Sequence, residues 1–137
     1  MIQEHRQKST ATWWAYYPAH EPRADDPHKS LFEAARKAMI DSGQGCWRCA
    51  DRRNLEAHHA ILEFAVLNGI DLRKLTKDFP SIVDTESLYA WAAGPGNLEI
   101  LCRECHRGQC GIHSVPWPAW SWQRYALDGI QSVSPGR

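Results

Sequence analysis

One stretch of the sequence decides the fold: residues 96–106 read GNLEILCRECH. Apolar and polar residues alternate over 97–101, which is typical of a strand with one buried face. This pattern runs directly into Cys102 and Cys105, a C-x-x-C pair. From Cys105 and His106 onward we expect a helix or a helical turn. The stretch therefore predicts a strand, a pair of thiolates and a short helix in immediate succession.

A second C-x-x-C pair lies upstream, at Cys46 and Cys49, and one further cysteine, Cys110, belongs to neither pair. Each pair brings two thiolates close enough to share one tetrahedral ion. In a cytosolic chain, where thiols stay reduced, grouped cysteines indicate a metal more often than disulfides. We therefore expect the four paired cysteines to hold one structural zinc ion, with Cys110 as a spare buried thiol. The alternative is four unrelated buried cysteines.

The charge balance of the chain limits how it can bind nucleic acid. Sixteen basic and sixteen acidic residues give a formal net charge of +0. No overall field attracts such a chain to a polyanion, so local contacts would have to hold one. Four thiolates and one Zn²⁺ would change the charge by about −2, which nearby arginines can offset. These are Arg48, Arg52, Arg53, Arg103 and Arg107.

Length and composition indicate one globular domain. The 137 residues allow about one domain with an appended arm. With 43% hydrophobic and 23% charged residues, the chain is not a disordered tail, a collagen-like fibre or a coiled coil. No apolar run reaches the roughly 18 residues that cross a bilayer, and the first residues lack the apolar core of a secretion signal. We therefore expect a cytoplasmic protein that does not bind membranes.

The chain divides into three parts. Residues 1–44 form an arm with a helix, 45–115 form the metal-bound domain, and 116–137 form a tryptophan-rich arm and tail. The helix of the first part is expected to begin at Asp26-Pro27, an acidic cap followed by proline, and to end at Ser42-Gly43.

The segment between the two cysteine pairs carries a second strand and several helices. A short strand is expected over 54–59. Helical patterns follow over 60–68 and 71–79, and a third helix runs from near Asp84 to the Gly94-Pro95-Gly96 turn. The segment between the strands is thus a helical insertion, and the chain as a whole is predicted to be α+β.

Three motifs together resemble the His-Asn-His (HNH) endonucleases, whose active unit is the ββα-metal finger. They are the Cys46–Cys49 pair, LEAHH at 55–59, and the stretch at 96–106. The similarity covers residues 46–113 and is greatest to the small stand-alone HNH proteins of phages. It implies a ββα-metal (His-Me finger) core pinned by the zinc site.

By position, the resemblance implies a role for each motif residue. His59 is the general base that takes a proton from the attacking water. Asn97 orients that imidazole or the loop that carries it, although in some relatives the asparagine contacts the metal instead. His58 and His106 hold one catalytic divalent cation, and His113 completes the shell. The zinc-containing branch of the family implies a separate structural zinc on the four paired cysteines.

The implied reaction is hydrolysis of DNA to a 5′-phosphate and a 3′-hydroxyl. It needs a nucleophile, charge stabilisation on the phosphoryl oxygens and help for the leaving alkoxide. An imidazole with a pKa near 6.5 can accept the proton of water at cellular pH, so activity is expected to rise with pH. The catalytic cation is Mg²⁺, Mn²⁺, Ni²⁺ or Zn²⁺, because imidazole ligands suit several ions.

Strand geometry constrains the histidine pair. Neighbouring strand residues point to opposite faces, yet His58 and His59 are both assigned to one site, so we predict a break in the strand at His59.

Glu56 and Glu99 are expected to be solvated strand residues. Tryptophans near both ends are expected to dock the arms on the domain rather than to stack on bases. These are Trp13, Trp14, Trp117, Trp120 and Trp122.

Three functions compete. The first is a DNA endonuclease, a monomer or homodimer that nicks or cuts both strands and contacts phosphate through the arginines near the cysteine pairs. The phage relatives imply work beside DNA packaging, with the large terminase subunit as a partner. The second is a catalytically silent zinc module that binds DNA or a protein; it does not need His59, Asn97 or His106, whose presence argues against it. The third, a redox protein, normally has one exposed pair beside a βαβ unit, which this sequence lacks.

Overall fold

The fold is built on a small antiparallel sheet. The computed structural model describes residues 1–10, 12–22 and 26–136. Strand β1 (Leu55–His59) pairs with β2 (Leu98–Cys102), from Leu55 opposite Cys102 to His59 opposite Leu98. Both strands lie within one residue of the bounds that the alternating patterns predict. The two strand predictions are therefore confirmed.

The described residues also form short helices, so the chain is α+β as predicted. The α-helices are α1 (Lys29–Asp41), α2 (Leu72–Asp78), α3 (Thr85–Ala92), α4 (Arg103–Arg107) and α5 (Trp117–Ser121). Two 3₁₀ segments accompany them, Phe64–Gly69 and Trp122–Tyr125. Among the described residues, every helix is too short or too polar to cross a bilayer.

Two helices begin at residues other than those predicted. Helix α1 begins at Lys29, because the Asp26 carboxylate accepts the backbone N–H of His28 (2.8 Å) and caps the turn before the helix. Helix α4 begins at Arg103 rather than at Cys105. The sulfur of Cys102 accepts the backbone N–H of Cys105 and so caps the first turn of the helix. Residues 11, 23–25 and 137, which belong to the predicted arms, lie outside the described residues.

The sheet lies between α1 and α4, which both contact its two strands. Side chains alternate along a strand, so Glu56 and His58 share one face and His59 takes the other. The His106 ring of α4 meets the first face, against Glu56 and His58. The Phe32 ring of α1 stacks on His59 at the second face. The two neighbouring histidines are therefore turned toward different helices.

The insertion between the strands has an apolar cluster of its own. Its buried members are Leu67, Ile82, Leu88 and Ala92. The helices predicted over 71–79 and from near Asp84 are present as α2 and α3; Asp71 caps α2, and Asp84 forms a reciprocal capping box with Ser87 at the start of α3. The predicted helix over 60–68 is wrong in its first half. The backbone N–H groups at positions 61 and 62 donate to the buried side chain of Asn97, so a loop precedes the 3₁₀ segment.

The C-terminal arm docks on the cysteine pairs through Trp120. This ring is 0% exposed, stacks on Trp47 (centroids 5.7 Å apart) and donates from Nε1 to the Cys105 carbonyl at 3.1 Å. Docking of this arm is therefore confirmed. Docking of the N-terminal arm through Trp13 and Trp14 is wrong, since they are 66% and 84% exposed on a segment without helix or strand; this arm contacts the insertion at later residues instead.

Replacement of Trp120 tests whether the arm stabilises the domain. We expect Trp120→Ala to lower the free energy of unfolding by about 3–5 kcal/mol, because it removes a fully buried aromatic side chain and leaves a cavity. Urea denaturation followed by circular dichroism measures the change. The exposed Trp14→Ala is the matched control and should stay within about 0.5 kcal/mol of the unmodified chain. Equal values for the two variants would show that the arm adds no stability.

Candidate metal centres

The first cysteine pair lies on a tight backbone turn. The backbone N–H of Cys46 donates to the Asp51 carbonyl and that of Ala50 donates to the Cys46 carbonyl, both at 2.8 Å. Ala50 adopts φ of +67°, in the left-handed region. At Gly45, a Cβ would lie only 2.7 Å from the Ala50 carbonyl oxygen, so glycine is required for the turn to close. The turn places the Cys46 and Cys49 sulfurs on one side of the loop.

The four paired cysteines meet as predicted. Their Sγ atoms all lie within 4.8 Å of one another, and those of Cys49 and Cys102 are 3.7 Å apart. With Zn–S bonds of about 2.3 Å, a zinc tetrahedron has edges of about 3.8 Å. Cys49 is exposed, whereas the other three cysteines are buried. Donor type, number and spacing therefore fit a structural metal such as zinc.

The electrostatics of this cluster oppose the ionisation of all four thiols without a cation. A hydrogen bond from Cys105 lowers the pKa of the Cys46 thiol to about 4, and the same bond raises the pKa of Cys105. Burial raises the pKa of Cys49 to about 11. The Arg48 guanidinium adds one positive group, its Nη1 lying 3.4 Å from the Cys105 sulfur. Four thiolates can therefore coexist only with a multivalent cation, whose binding releases protons.

Three histidines form a second group of metal-ligand type. His58 comes from β1, His106 from α4 and His113 from the turn after α4. One ring nitrogen of each lies within 4.8 Å of the others, and the Nε2 atoms of His106 and His113 are 3.0 Å apart. The three rings line a cavity of about 290 Å³. Three neutral imidazoles beside open space can hold one divalent cation and leave coordination positions for other ligands.

A backbone reversal after α4 carries His113 to the other two rings. The N–H of Ile112 donates to the Cys105 carbonyl at 2.9 Å. A Cβ at Gly111 would lie 2.7 Å from the His106 carbonyl oxygen, so this close approach requires glycine. The sequence predicts His113 only through the family resemblance, because the reversal depends on contacts with residues several positions away.

Burial keeps two of these imidazoles in the neutral form, which is the form that binds a metal. Burial lowers the pKa of His58 to about 4, with further lowering by the neighbouring His106, His113 and His59. Burial also lowers the pKa of His113. Both rings are therefore neutral near pH 7, which is the form that binds a metal.

Glu56 is a site residue that the sequence reading missed. It was expected to be solvated, but its Oε1 accepts from His106 Nδ1 at 2.9 Å, and both oxygens accept from Arg107 at 2.7–3.1 Å. The Arg107 hydrogen bonds, followed by that of His106, lower the pKa of Glu56 to about 2. Strand alternation, which places Glu56 on the same face as His58, is the signal that could have found it.

Asn97 is a fully buried residue (0% exposed) that holds the loop after β1. Its Oδ1 accepts from the backbone N–H groups of Ile61 and Leu62, at 3.1 and 2.9 Å. Its Nδ2 donates to the carbonyls of Leu62 and Ala92, at 2.8 and 2.9 Å. Of the two roles that the resemblance implies, this geometry is that of an asparagine that orients the loop, because its amide groups are engaged by backbone.

Strand β1 ends at His59, where the sequence predicts the break. His59 still pairs with Leu98, and the chain leaves the sheet at Ala60, whose N–H donates to the Asn97 carbonyl at 2.7 Å. The His59 ring stacks on Phe32, with centroids 5.2 Å apart. His59 nevertheless lines the same cavity as the three histidines, since the cavity lies at the end of the strand.

The five arginines expected to contact phosphate all have partners within the protein. Arg48 donates to the Trp120 carbonyl and to Ser132, and Arg52 donates to the Gly43 carbonyl. Arg53 pairs with Asp51. Arg103 and Arg107 both lie at Glu56, with nearest nitrogen–oxygen distances of 3.9 and 2.7 Å.

Comparison with protein-family models, with curated proteins and with solved structures finds no match to this chain. The four-cysteine and three-histidine groups described above therefore carry the functional argument by their own geometry and chemistry.

Substitution of one clustered cysteine tests the four-cysteine site. We expect Cys102→Ser to lose its zinc and its cooperative unfolding transition, because structural zinc supplies much of the folding energy of a small domain. Zinc content per chain and thermal unfolding measure both effects. Cys110→Ser, outside the cluster, is the matched control and should retain the zinc and the transition. A folded Cys102→Ser chain without zinc would contradict the assignment.

The lowered pKa of His58 predicts a pH-dependent stability. An unfolded histidine takes up a proton near pH 6.5, whereas folded His58 does so only near pH 4. Stability from this residue is therefore complete above pH 6.5 and is lost as the pH falls toward 4. Between pH 7.5 and 5, we expect the unmodified chain to lose about 2 kcal/mol more than His58→Gln.

Urea denaturation of both proteins at equal zinc content measures this difference. The loss of zinc from the thiolates at low pH affects both proteins alike and cancels. Equal losses in the two proteins would show that His58 titrates normally in the folded chain.

Proposed function

We propose that this chain is a metal-dependent endonuclease of the HNH type that hydrolyses phosphodiester bonds of DNA. The observation that carries the proposal is the three-histidine group, in which His58, His106 and His113 lie around one cavity that His59 also lines. A structural site of four cysteines alone would not require a group of three histidines. A group of neutral imidazoles beside a further imidazole is what hydrolysis with a cation and a general base needs.

The order of elements supports a ββα-metal finger as the frame of this site. The strands β1 and β2 are antiparallel neighbours, and α4 follows β2 directly. His58 and His59 end the first strand, and His106 lies on the helix. In this proposal, the four cysteines hold a structural zinc, and the insertion between the strands supplies the Asn97-bound loop.

The three imidazoles would hold one divalent cation, which supplies Lewis-acid stabilisation of the phosphoryl oxygens when bound. His58 and His113 favour the cation because their lowered pKa values keep them neutral near pH 7. The loop bound by Asn97 fixes the edge of the cavity, so that the rings keep their places as a phosphate enters.

His59 would act as the general base. The oxygen of a water molecule forms a bond to phosphorus, its proton passes to a ring nitrogen of His59, and the bond from phosphorus to the 3′ oxygen breaks. The leaving oxygen takes a proton from water, which gives a 3′-hydroxyl and a 5′-phosphate. Stacking on Phe32 involves the face of the His59 ring, whereas its nitrogens accept protons in the ring plane.

DNA binding by this chain should be weak and sensitive to salt. The net charge of +0 provides no long-range attraction, and the arginines near the site are engaged in pairs with acidic residues or carbonyls. Arg52 and Arg103 carry the most suitable guanidinium groups, because Arg52 is exposed and donates to the Gly43 carbonyl, and Arg103 lies 3.9 Å from the Glu56 carboxylate. Such contacts position a phosphate without reading bases.

A catalytically silent zinc module that binds DNA or a protein partner is the second candidate. Two observations favour it: the arginines are paired within the protein, and His59 stacks on the sheet face opposite to the three histidines. The retention of three imidazole ligands around a cavity favours the enzyme.

A plasmid-nicking assay tests the proposal. Incubated with Mg²⁺, Mn²⁺ or Ni²⁺, the zinc-loaded protein should convert supercoiled plasmid to open circles, and His59→Ala should lower the rate by at least about 100-fold because it removes the base. His5→Ala, an exposed histidine far from the motif in sequence, is the matched control. Gel densitometry over time measures the rates at equal zinc content.

Each result has a definite reading. Nicking by the unmodified protein and by His5→Ala, with loss in His59→Ala, supports the enzyme. Equal nicking by His59→Ala contradicts the assigned base. No nicking with any of the three cations, by a folded protein with one zinc per chain, supports the silent module.

A further inference from the structure

We propose that Glu56 is the positioning residue of the three-histidine site: it fixes the tautomer and the orientation of His106, so that Nε2 is presented to the cation. The inference deepens the proposed function and rests on it for its catalytic consequence. Its structural content, which concerns His106 and the cation alone, can be tested separately.

The hydrogen bond between Glu56 and His106 decides which ring nitrogen carries the proton. A neutral imidazole has one N–H, and an ionised carboxylate can only accept. The Glu56 Oε1 lies 2.9 Å from Nδ1 of His106, so Nδ1 carries the hydrogen and Nε2 keeps its lone pair. Paired guanidinium donors from Arg107 favour the ionised, accepting form of this carboxylate.

The lone pair on Nε2 of His106 lies on the side of the ring that faces the other two histidines. Nε2 of His106 lies 3.0 Å from Nε2 of His113, and the His58 ring is 5.1 Å from both rings, centroid to centroid. The opposite tautomer would place a hydrogen on Nε2, where it would block a metal bond. Carboxylate partners of metal-bound histidines commonly fix the ring and raise its basicity in this manner.

Arg107 holds the carboxylate itself in position. Its Nε and Nη2 donate to the two Glu56 oxygens, so the guanidinium fixes the plane of the carboxylate while Oε1 also meets His106. Arg103 adds a weaker ion pair at 3.9 Å. Arg107 therefore belongs to the support of the metal ligand, although the sequence indicated a phosphate contact. Three basic groups around one carboxylate also explain why it is not solvated.

The experiment compares Glu56→Ala and Glu56→Gln with the unmodified protein, all loaded with zinc at the cysteines. Glu104→Gln, an exposed acid on α4 next to the same cluster, is the matched control. The probe is Co²⁺, titrated at pH 8 and followed by its absorption bands. Since loss of such a carboxylate partner typically costs 10–100-fold in affinity, we expect a Co²⁺ affinity roughly 10–100-fold lower in Glu56→Ala.

A second readout separates positioning from a general structural role. Nitrogen-15 NMR of the zinc-loaded protein without Co²⁺ reports the tautomer of each histidine ring. We expect His106 to carry its hydrogen on Nδ1 in the unmodified protein and in Glu104→Gln. In Glu56→Ala the Nε2–H share should rise. Glu56→Gln keeps the shape of the side chain and tests the charge alone, should the alanine variant fold poorly.

The outcomes distinguish this inference from the proposed nuclease. An Nδ1–H tautomer that is lost with Glu56, together with weaker Co²⁺ binding, supports it even when the protein does not nick DNA. Unchanged tautomer and affinity in a folded Glu56→Gln and Glu56→Ala would overturn it even when nicking is strong. Where nicking is present, the rates of the Glu56 variants should recover at high Mn²⁺, because a weakened ligand is compensated by concentration.

Discussion

The four-thiol cluster is the constraint on which the rest of the structure depends. It joins Cys49 and Cys102, which lie 53 positions apart, at the point where β2 ends and α4 begins. The ring of Trp120 packs on the same cluster, and the helix that carries His106 starts from it. Burial and the neighbouring Cys46 raise the pKa of Cys49, so a bound cation would favour the ionised form of these packed thiols. The position of the histidine site is thus set by the cysteine site.

A buried amide connects the insertion to this frame. Asn97 ties the loop after β1, through Leu62, to the end of α3, through Ala92. The insertion has its own apolar cluster, separate from the one around the cysteines, so polar links such as this one help to set how the two meet. A buried amide with four backbone partners has few alternative arrangements, since each lost hydrogen bond leaves an unsatisfied group. The loop at the rim of the cavity is therefore held in place by Asn97.

The sequence predicts the features that depend on near neighbours. Both strands, the helices that start beside Asp71 and Asp84 and the pairing of the cysteines follow from short-range patterns, and all agree with the structure. The misplaced helix over 60–68 has a long-range cause, because its N–H groups are bound by a side chain 35 or 36 positions away. The partner of Arg107 is also distant in sequence, since Glu56 lies 51 positions away. Charge and local pattern alone could not tell a support of the site from a contact with DNA.

The alternation of strand residues explains both the missed residue and the difficulty with the histidine pair. One face of β1 carries Glu56 and His58 toward α4, so ligand and support lie side by side. The other face carries His59 toward α1, where Phe32 fixes the plane of its ring. In the proposed reaction this arrangement separates the base from the cation, which matters because a nearby positive charge opposes uptake of a proton. The cavity at the strand end is where the two faces meet, so a phosphate there can be reached from both.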